Sequence, residues 1–267
     1  MGSTPDTPSS RTRPTSICHR SSNATTSPTA NTGIPHPVPV ANQAHHANNA
    51  LVTVDSVWGR LGESPLAACE RDSVTDAVTF TRIERLWRPE IVRLGIPSIG
   101  RLEAELLATL AAATGARRVL EVGTAIGYSA AYLAAGAGPE ATVDAVELSP
   151  RRAEVARRLW REVGLDGRVR LHESDALSLL PTLAPGYDLV FVDLLWEIRH
   201  ESAGRALALG VLGLLRAGGT LVADNCGQGI PAADGFIAEV ASACPARALL
   251  PLRDGVLVAV KADERAR

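Results

Sequence analysis

The stretch from Arg117 to Ala134 constrains the fold more than any other part of the chain. It reads Arg-Arg-Val-Leu-Glu-Val-Gly-Thr-Ala-Ile-Gly-Tyr-Ser-Ala-Ala-Tyr-Leu-Ala. The apolar run 119–122 predicts a short buried parallel strand, 123–127 a glycine turn, and the residues from Tyr128 onward a helix. Glycine lets the backbone approach a ligand closely, and the free N–H groups at a helix start attract negative groups. The sequence therefore predicts an α/β fold with a nucleotide-binding turn after this strand.

The glycine spacing separates two kinds of cofactor. A dinucleotide fingerprint has the form G-x-G-x-x-G, in which the second glycine leaves room for the pyrophosphate. Ala125 occupies that second position here, and the next glycine is Gly127. An NAD-dependent oxidoreductase is therefore the least favoured of the functions considered.

The segment Glu121-Val-Gly-Thr-Ala-Ile-Gly-Tyr-Ser129 resembles motif I of class I S-adenosylmethionine (SAM) methyltransferases. More narrowly, it resembles the catechol and caffeoyl-CoA O-methyltransferase family, which also contains bacterial tRNA 5-hydroxyuridine methyltransferases. The resemblance extends over about residues 95–261. It implies a Rossmann-like fold with a mainly parallel seven-stranded sheet, an antiparallel last strand and N-terminal covering helices.

The composition excludes several classes of protein. Of the 267 residues 46% are apolar, which is ample for a core, and the net charge is −2. No run approaches the roughly 18 apolar residues of a membrane helix, so we expect no membrane association. The charge provides no global basic field for nucleic acid. The four cysteines lack C-x-x-C spacing, which favours reduced thiols in a cytoplasmic protein.

Residues 1–50 differ in composition from the rest of the chain. They are rich in Ser, Thr, Pro and Asn, contain Asp6 as their one acid, and show no periodic apolar pattern. Such a segment cannot bury enough apolar surface to offset the entropy of ordering. We therefore predict a disordered low-complexity tail over 1–50 and a SAM-dependent methyltransferase domain over 51–267.

Helical patterns precede the glycine turn, and strands alternate with helices after it. The helical pattern up to Ile96 is interrupted by Pro89, and Ser98 is predicted to cap a helix with Leu102 on its apolar face. The alternation that follows predicts a doubly wound parallel sheet. Further strands are predicted at 142–146, 169–171, 187–192, 220–223, 246–250 and 255–260, with helices after Ser149 and at 201–216 and 232–243.

Acidic residues fall at the ends of the predicted parallel strands. Ligands of open α/β sheets bind at the carboxyl ends of the strands, so these acids are expected to converge on one crevice. They are Glu121, Glu147, Asp175, Asp193 and Asp224.

The resemblance to the methyltransferase family assigns roles around SAM. Glu147 is expected to accept hydrogen bonds from both ribose hydroxyls, a role shared with NAD-binding folds. Asp175 matches the family's acid beside the adenine, and Ser129 with the helix start would hold the methionine carboxylate. The expected cofactor-binding residues are Glu121, Gly123, Thr124, Gly127, Tyr128, Ser129, Glu147, Leu148, Ser174, Asp175, Ala176 and Asp193. For Tyr128, ordinary helix–sheet packing remains an alternative.

A second group of polar residues follows the fourth and fifth strands. The oxygen side chains of Asp193, Asp224 and Asn225 suit a hard divalent cation, Mg²⁺, Ca²⁺ or Mn²⁺. In the resembling family these positions hold the metal that binds two neighbouring substrate oxygens.

The chain departs from the family pattern after the fourth strand. Trp196 stands where the family has a lysine base, and Lys261 is the one lysine of the chain. His200 could substitute as a catalytic base, although a histidine in a helix-entry loop is more often incidental. We therefore expect the cation, held partly by Asp193, to carry most of the activation of the substrate hydroxyl.

Three functions remain open from the sequence. The leading one is a metal-assisted O-methyltransferase acting on a small catechol-like hydroxyl substrate, with a homodimer as the family's common assembly. The second is methylation of tRNA wobble 5-hydroxyuridine, with a phosphate-binding face formed by the arginines between Arg151 and Arg161. The third is a SAM-binding sensor or assembly protein without catalysis, suggested by the absent lysine.

Overall fold

The computed structural model describes residues 80–227 and 229–263. The predicted tail over 1–50 and the part of the helical pattern before Phe80 lie outside these residues. The helices are α1 (Phe80–Leu94), α2 (Arg101–Ala113), α3 (Tyr128–Ala137), α4 (Pro150–Glu162), α5 (Ala176–Leu179), α6 (Glu201–Leu214) and α7 (Pro231–Ala243). A 3₁₀ turn, Leu180–Thr182, follows α5. No helix in the described ranges is long and apolar enough to cross a membrane.

Seven strands form one sheet in the order β3-β2-β1-β4-β5-β7-β6. They are β1 (Arg118–Val122), β2 (Thr142–Glu147), β3 (Val169–Glu173), β4 (Tyr187–Val192), β5 (Leu215–Ala223), β6 (Ala246–Leu250) and β7 (Val256–Val260). Strands β1 to β5 pair in parallel, whereas β7 is antiparallel to both of its neighbours. The predicted fold, a mainly parallel sheet with an antiparallel last strand, is confirmed.

Both faces of the sheet are covered, which explains why its central strands are apolar throughout. Val119 packs into a core with α1 to α4, and the next residue, Leu120, packs into a second core with α6 and α7. Successive side chains of a strand point to opposite faces, so a strand buried on both sides has no polar alternation. Burial on two faces fixes the strands firmly and leaves their carboxyl ends to form the site.

Helix α1 differs from its prediction at Pro89, where the helix continues without a break. Proline removes one backbone hydrogen bond of the helix. Pro89 lies on the exposed side of α1, whereas Ile83 and Trp87 are fully buried on the other side. The packing of this buried face therefore holds α1 together through the proline.

The start of α2 also differs from its prediction. Ser98 does not cap the helix, which begins at Arg101 with Gly100 at the cap position. The Gly100 N–H instead donates a hydrogen bond of 2.6 Å to the Glu103 carboxylate. Glu103 is buried, while Leu102, predicted on the apolar face, is exposed. The helix is thus rotated relative to the face that the leucine spacing indicates.

Strand β5 is longer than predicted. Helix α6 ends at Leu214 and β5 begins at Leu215, where a helix was expected to continue to Arg216. Leu215 pairs with Tyr187 before the register shifts, and regular pairing resumes between Leu189 and Thr220. The glycines at 218 and 219 therefore lie inside an irregular part of the strand and not before it.

Candidate active site

The parallel ladder continues one residue beyond the central strands and positions the acids that follow them. The Asp193 N–H donates to the Val122 carbonyl at 2.9 Å, and the Asp224 N–H donates to the Val192 carbonyl at the same distance. The strands β1, β4 and β5 therefore end at about the same height in the sheet. They meet at a cavity with about 790 Å³ of empty space, part of it open to solvent.

Most of the predicted site residues line this cavity or the smaller one beside it. Gly123, Glu147, Leu148, Ser174, Asp175, Ala176, Asp193, Asp224 and Asn225 line the main cavity. Thr124, Tyr128 and Ser129 line the smaller cavity, which shares Gly123 and Asp193 with the main one. Glu121 lies beneath the glycine turn, and Gly127 packs behind it, so neither lines the main cavity.

Gly123 is the point at which the turn after β1 passes closest to the end of β4. Its φ is +95°, and a Cβ atom there would overlap the carbonyl oxygen of Asp193. Both the left-handed backbone and the close approach require glycine. The Gly123 and Thr124 N–H groups both donate to the Val146 carbonyl at 3.0 Å, which fixes the turn against β2.

Two tryptophans fix the other end of the turn. The Trp87 indole donates to the Ile126 carbonyl at 2.8 Å, and the Trp160 indole donates to the Gly127 carbonyl at 3.0 Å. Gly127 has φ +80°, and a Cβ atom there would lie 2.5 Å from the Trp160 ring. The N-terminus of α3 is therefore held rigidly beside the smaller cavity, where its N–H groups favour an anionic ligand group.

Glu147, at the end of β2, has both carboxylate oxygens oriented by backbone. One oxygen accepts from the Ala125 N–H at 2.9 Å and the other from the Ser149 N–H at 2.8 Å. Arg152 Nη1 lies 3.8 Å from Glu147. Burial raises the pKa of the Glu147 carboxyl, and these backbone donors and Arg152 oppose the rise. Each oxygen retains a lone pair for a further donor such as a hydroxyl.

Glu121 is completely buried under the turn. Burial raises the pKa of its carboxyl to about 7, and hydrogen bonds from Ser129 and Thr124 lower it only in part. The Thr124 hydroxyl donates to the Glu121 carboxylate. Glu121 therefore supports the turn from beneath through Thr124 and Ser129.

Asp193, Asp224 and Asn225 bring three oxygen-bearing side chains to the same cavity wall. Burial raises the pKa of Asp193 well above its usual value, and the charge of Asp224 raises it further. Burial also raises the pKa of Asp224, whose carboxylate accepts from the Asn225 N–H at 2.7 Å. The Asn225 Oδ1 atom is buried without a hydrogen-bond partner in the described part of the chain. This wall can accept a positive charge.

Asp175 and Tyr128 already have protein partners. Asp175 caps α5, accepting from the N–H and the hydroxyl of Ser178 at 2.9 Å each. The Tyr128 hydroxyl donates to Glu84 on α1, and its ring packs edge-on against Tyr132. Tyr128 therefore has a packing role in addition to facing the smaller cavity.

The candidate base His200, the residue Trp196 at the position of the family's lysine, and the one lysine of the chain lie in different places. His200 is exposed at the start of α6 and does not line the cavity. Trp196 lines the cavity and is 49% exposed. Lys261 follows β7 at the opposite end of the strands from the cavity, where its ammonium donates to the carbonyls of Leu212 and Leu215 at 2.7 and 2.8 Å.

Sequence reasoning missed Glu103 and two arginines. Arg152 and Arg253 are the basic side chains that line the main cavity. Arg152 follows the predicted cap Ser149, so its place beside Glu147 could have been inferred. Glu103 and Arg253 reach the site from α2 and from the β6–β7 hairpin, and no local pattern signals either position.

The strand order, the antiparallel β7 and the cavity after β1 and β4 define a class I methyltransferase fold. The family model described as O-methyltransferase matches residues 83–243. The chain therefore belongs to the O-methyltransferase family, and the predictions of fold class, family and enzyme class are confirmed.

Proteins of similar sequence carry names that agree with this family assignment. A catechol O-methyltransferase from Mycobacterium tuberculosis is 38% identical over 145 residues. That match spans 51% of this chain and 65% of the relative, which is less than two thirds of its length. A protein from Mycolicibacterium vanbaalenii named "Putative O-methyltransferase" is 30% identical over 217 residues. That match covers 76% of this chain and 92% of the relative.

Solved structures also share the fold. A cofactor-bound protein from MTB superposes with a TM-score of 0.58 at 28% identity, covering 79% of this chain and 97% of that one. An O-methyltransferase from Bacillus cereus in complex with SAH has a TM-score of 0.59 at 22% identity, covering 73% and 96%. The second likeness is one of fold alone.

Proposed function

We propose that this protein transfers the methyl group of SAM to a hydroxyl of a small catechol-like molecule, assisted by a divalent cation. The observation that carries the proposal is the meeting of two different walls in one cavity. One wall, around Gly123 and Glu147, suits a nucleoside. The other, around Asp193, Asp224 and Asn225, suits a cation and the oxygens it binds.

The residues around the glycine turn would bind and orient SAM, which supplies an electrophilic sulfonium methyl group. Glu147, held by two backbone donors, would accept the ribose hydroxyls, and each such bond to a charged group contributes about 1.5–3 kcal/mol. The Asp175 carboxylate would accept from the adenine amine. Ser129 and the α3 N-terminus would hold the methionine carboxylate. Leu148, 67% exposed at the cavity, offers apolar surface for the base.

The donor set of the second wall fits a hard cation. In the described ranges no group of three or more His, Cys, Asp and Glu side chains is placed to hold a metal. The proposed set therefore depends on the Asn225 amide as its third member, and the unpartnered Asn225 Oδ1 supplies the missing donor. Two carboxylates and an amide oxygen are ligands that Mg²⁺, Ca²⁺ and Mn²⁺ accept. A bound cation would act as a Lewis acid on the acceptor oxygens.

Catalysis in this cavity would come mainly from positioning. An oxygen held in line with the methyl group reacts far faster than a free one, and alignment can contribute about 7 kcal/mol or more. If the bound cation ionises the acceptor hydroxyl, the reaction needs no separate protein base. The half-exposed Trp196 at the cavity offers an aromatic face against which a phenolic ring can stack.

A screen with isotopically labelled SAM tests the proposal. The full chain is incubated with catechols, hydroxycinnamoyl esters and polyketide phenols, and methylated product is identified by mass. We expect at least one vicinal diol to be methylated, with His200→Ala retaining nearly full activity. If SAM binds but no phenol is methylated, the small-molecule proposal fails. Methyl transfer to tRNA in the same assay would replace it with the tRNA alternative.

A further inference from the structure

Arg253 lies on the β6–β7 hairpin, and its position is fixed from both sides of the cavity. The Cys226 N–H donates to the Gly255 carbonyl at 2.8 Å, and the Gly227 N–H donates to the Asp254 carbonyl at 2.6 Å. These bonds tie the hairpin to the segment directly after Asn225. The hairpin therefore sits next to the wall proposed to receive the acceptor oxygens.

The Arg253 side chain crosses from this hairpin to the segment before α2. Its Nη1 atom donates to the Ser98 carbonyl at 2.6 Å and lies 3.7 Å from a Glu103 carboxylate oxygen. Within the described residues these contacts use Nη1 alone, so the rest of the guanidinium retains its donors. The side chain is 51% exposed and lines the main cavity together with Asp193 and Asp224.

The backbone of Arg253 is unusual for a residue with a side chain. Its φ is +43°, in the left-handed region that favours glycine. A non-glycine residue is disfavoured there, because its Cβ atom crowds the following carbonyl oxygen. Strained backbone of this kind is concentrated at functional sites, where surrounding structure holds it in place.

The other basic side chains near the site already have partners, which distinguishes them from Arg253. Arg152, the other basic residue of the cavity, is occupied by Glu147 and Glu197. Lys261 is bound at the opposite end of the strands, beside the start of β5. Arg253 is therefore the basic side chain of the described residues at the acidic wall, where Glu103 and the Ser98 carbonyl contact its Nη1 atom and leave Nη2 and Nε available to a ligand.

We propose that Arg253 is a catalytic residue of the acceptor site, whose guanidinium stabilises the oxyanion of the methyl acceptor. This inference rests on the proposed function. The acceptor hydroxyl releases its proton to water, and its oxygen uses the freed electron pair to form the bond to the methyl carbon. The carbon–sulfur bond breaks at the same time, its electron pair remains on sulfur, and Arg253 keeps its own protons. A guanidinium is suited to this role because it stays charged at every assay pH.

The test is the ionisation of a bound nitro-substituted catechol, whose colour changes when it loses a proton. The probe is titrated in the presence of S-adenosylhomocysteine, so that no turnover occurs, with Mg²⁺ and separately with EDTA. The variants are Arg253→Gln, which keeps a donor for Ser98, and Arg253→Lys, which keeps the charge. Arg247→Gln is the matched control, since Arg247 lies on β6 away from the cavity and, among the described residues, its side chain hydrogen-bonds to the carbonyls of Ala241 and Cys244.

We expect the wild-type protein to lower the pKa of the bound probe below that of the free probe. In Arg253→Gln the midpoint should rise by about one pH unit, a tenfold change in the ionisation equilibrium. Arg253→Lys should keep most of the wild-type shift, and Arg247→Gln all of it. A purely structural role predicts weaker probe binding with an unchanged midpoint.

The outcomes separate this inference from the proposed function. An unchanged midpoint in Arg253→Gln, with the probe still bound, overturns the role of Arg253 alone. Failure of the wild-type protein to bind the probe while it binds SAM contradicts the acceptor site itself, and the inference with it. Equal loss of the shift in the glutamine and lysine variants would show that geometry and not charge is responsible, and would also overturn the proposal.

Discussion

Two constraints require glycine at position 123, its positive φ and its close approach to β4, and a comparison with Gly138 separates them. Its φ of +95° disfavours any side chain, and a Cβ atom would also meet the Asp193 carbonyl. Gly138, at the end of α3, has φ +84° but nothing within 4 Å of a Cβ atom. Both glycines therefore have a positive φ that disfavours a side chain, and Gly123 alone of the two adds a steric clash.

We predict that Gly138→Ala lowers the free energy of unfolding by about 1–3 kcal/mol, the cost of a side chain in a backbone conformation (φ +84°, ψ 174°) that is almost confined to glycine. Gly123→Ala should lower it by about a further 1–3 kcal/mol, because the end of β4 must shift, and should weaken SAM binding. Urea unfolding and calorimetry with SAM measure both effects. Equal losses for the two variants would show that the close approach to Asp193 is unimportant.

Glu121 makes the stability of the protein depend on pH. The pKa of its carboxyl is about 7 in the folded protein against an ordinary value of 4.5, mainly because of burial. The folded state therefore binds the proton more tightly than the unfolded state. The stability that this group contributes is fully present below pH 4.5 and is lost as the pH rises through 7.

We predict that Glu121→Gln removes this loss. Between pH 5 and pH 8 the free energy of unfolding of the wild type should fall relative to that of the variant by about 2.5 kcal/mol. Urea unfolding at several pH values gives the difference directly. Parallel pH profiles for the two proteins would contradict the raised pKa.

At the scale of elements, α1 is attached to α3 through one carboxylate. Glu84 accepts hydrogen bonds from the hydroxyls of Tyr128 and Tyr132, and its other oxygen accepts from Arg88 at 2.9 Å. Burial raises the pKa of Glu84, but these donors outweigh it and the pKa is lowered. Phe80 adds a stacked contact with Tyr132. The cluster holds α1 beside the N-terminus of α3.

We predict that Glu84→Gln lowers the free energy of unfolding by about 1–3 kcal/mol, since two buried hydroxyls lose a charged acceptor. Glu105→Gln is the matched control, because Glu105 pairs with Arg101 one turn apart near the surface of α2. Such a pair contributes about 0.3–0.5 kcal/mol. Thermal or urea unfolding compares them, and an equal effect would argue against the role of Glu84.

The elements also show what sequence patterns can and cannot predict. Strand β4 was predicted with its observed bounds because an apolar run covered on both faces has one interpretation. The leucine spacing of α2 placed Leu102 inside, whereas Glu103 is buried through its bond to Gly100. The site acids at strand ends were predictable from topology. Arg253 was not, because its place depends on how a distant hairpin packs.

At the scale of the whole molecule, the arginines of α4 bear on the choice of substrate. Arg157 pairs with Glu173, and Arg158 pairs with Glu90 and Glu162. With Arg152 held by Glu147 and Glu197, much of the positive charge of α4 is neutralised within the protein. We therefore expect this helix to bind phosphates less strongly than its count of arginines suggests.

We predict that the protein binds tRNA weakly and without a steep dependence on salt. Each phosphate contact by a basic residue adds close to one unit to the slope of log K against log salt. Filter binding at several salt concentrations measures this slope. Tight binding at low salt with a slope of several units would favour the tRNA alternative over a small acceptor.

At the scale of the whole molecule, the proposed activity depends on a divalent cation bound by Asp193, Asp224 and Asn225. The most direct measurement is the initial rate of methyl transfer to the best acceptor in Mg²⁺ and in EDTA, together with the affinity for SAM in both. We predict that EDTA, Asp193→Ala and Asp224→Ala each abolish transfer while the SAM Kd changes by only a few-fold. Full activity in EDTA would contradict the account.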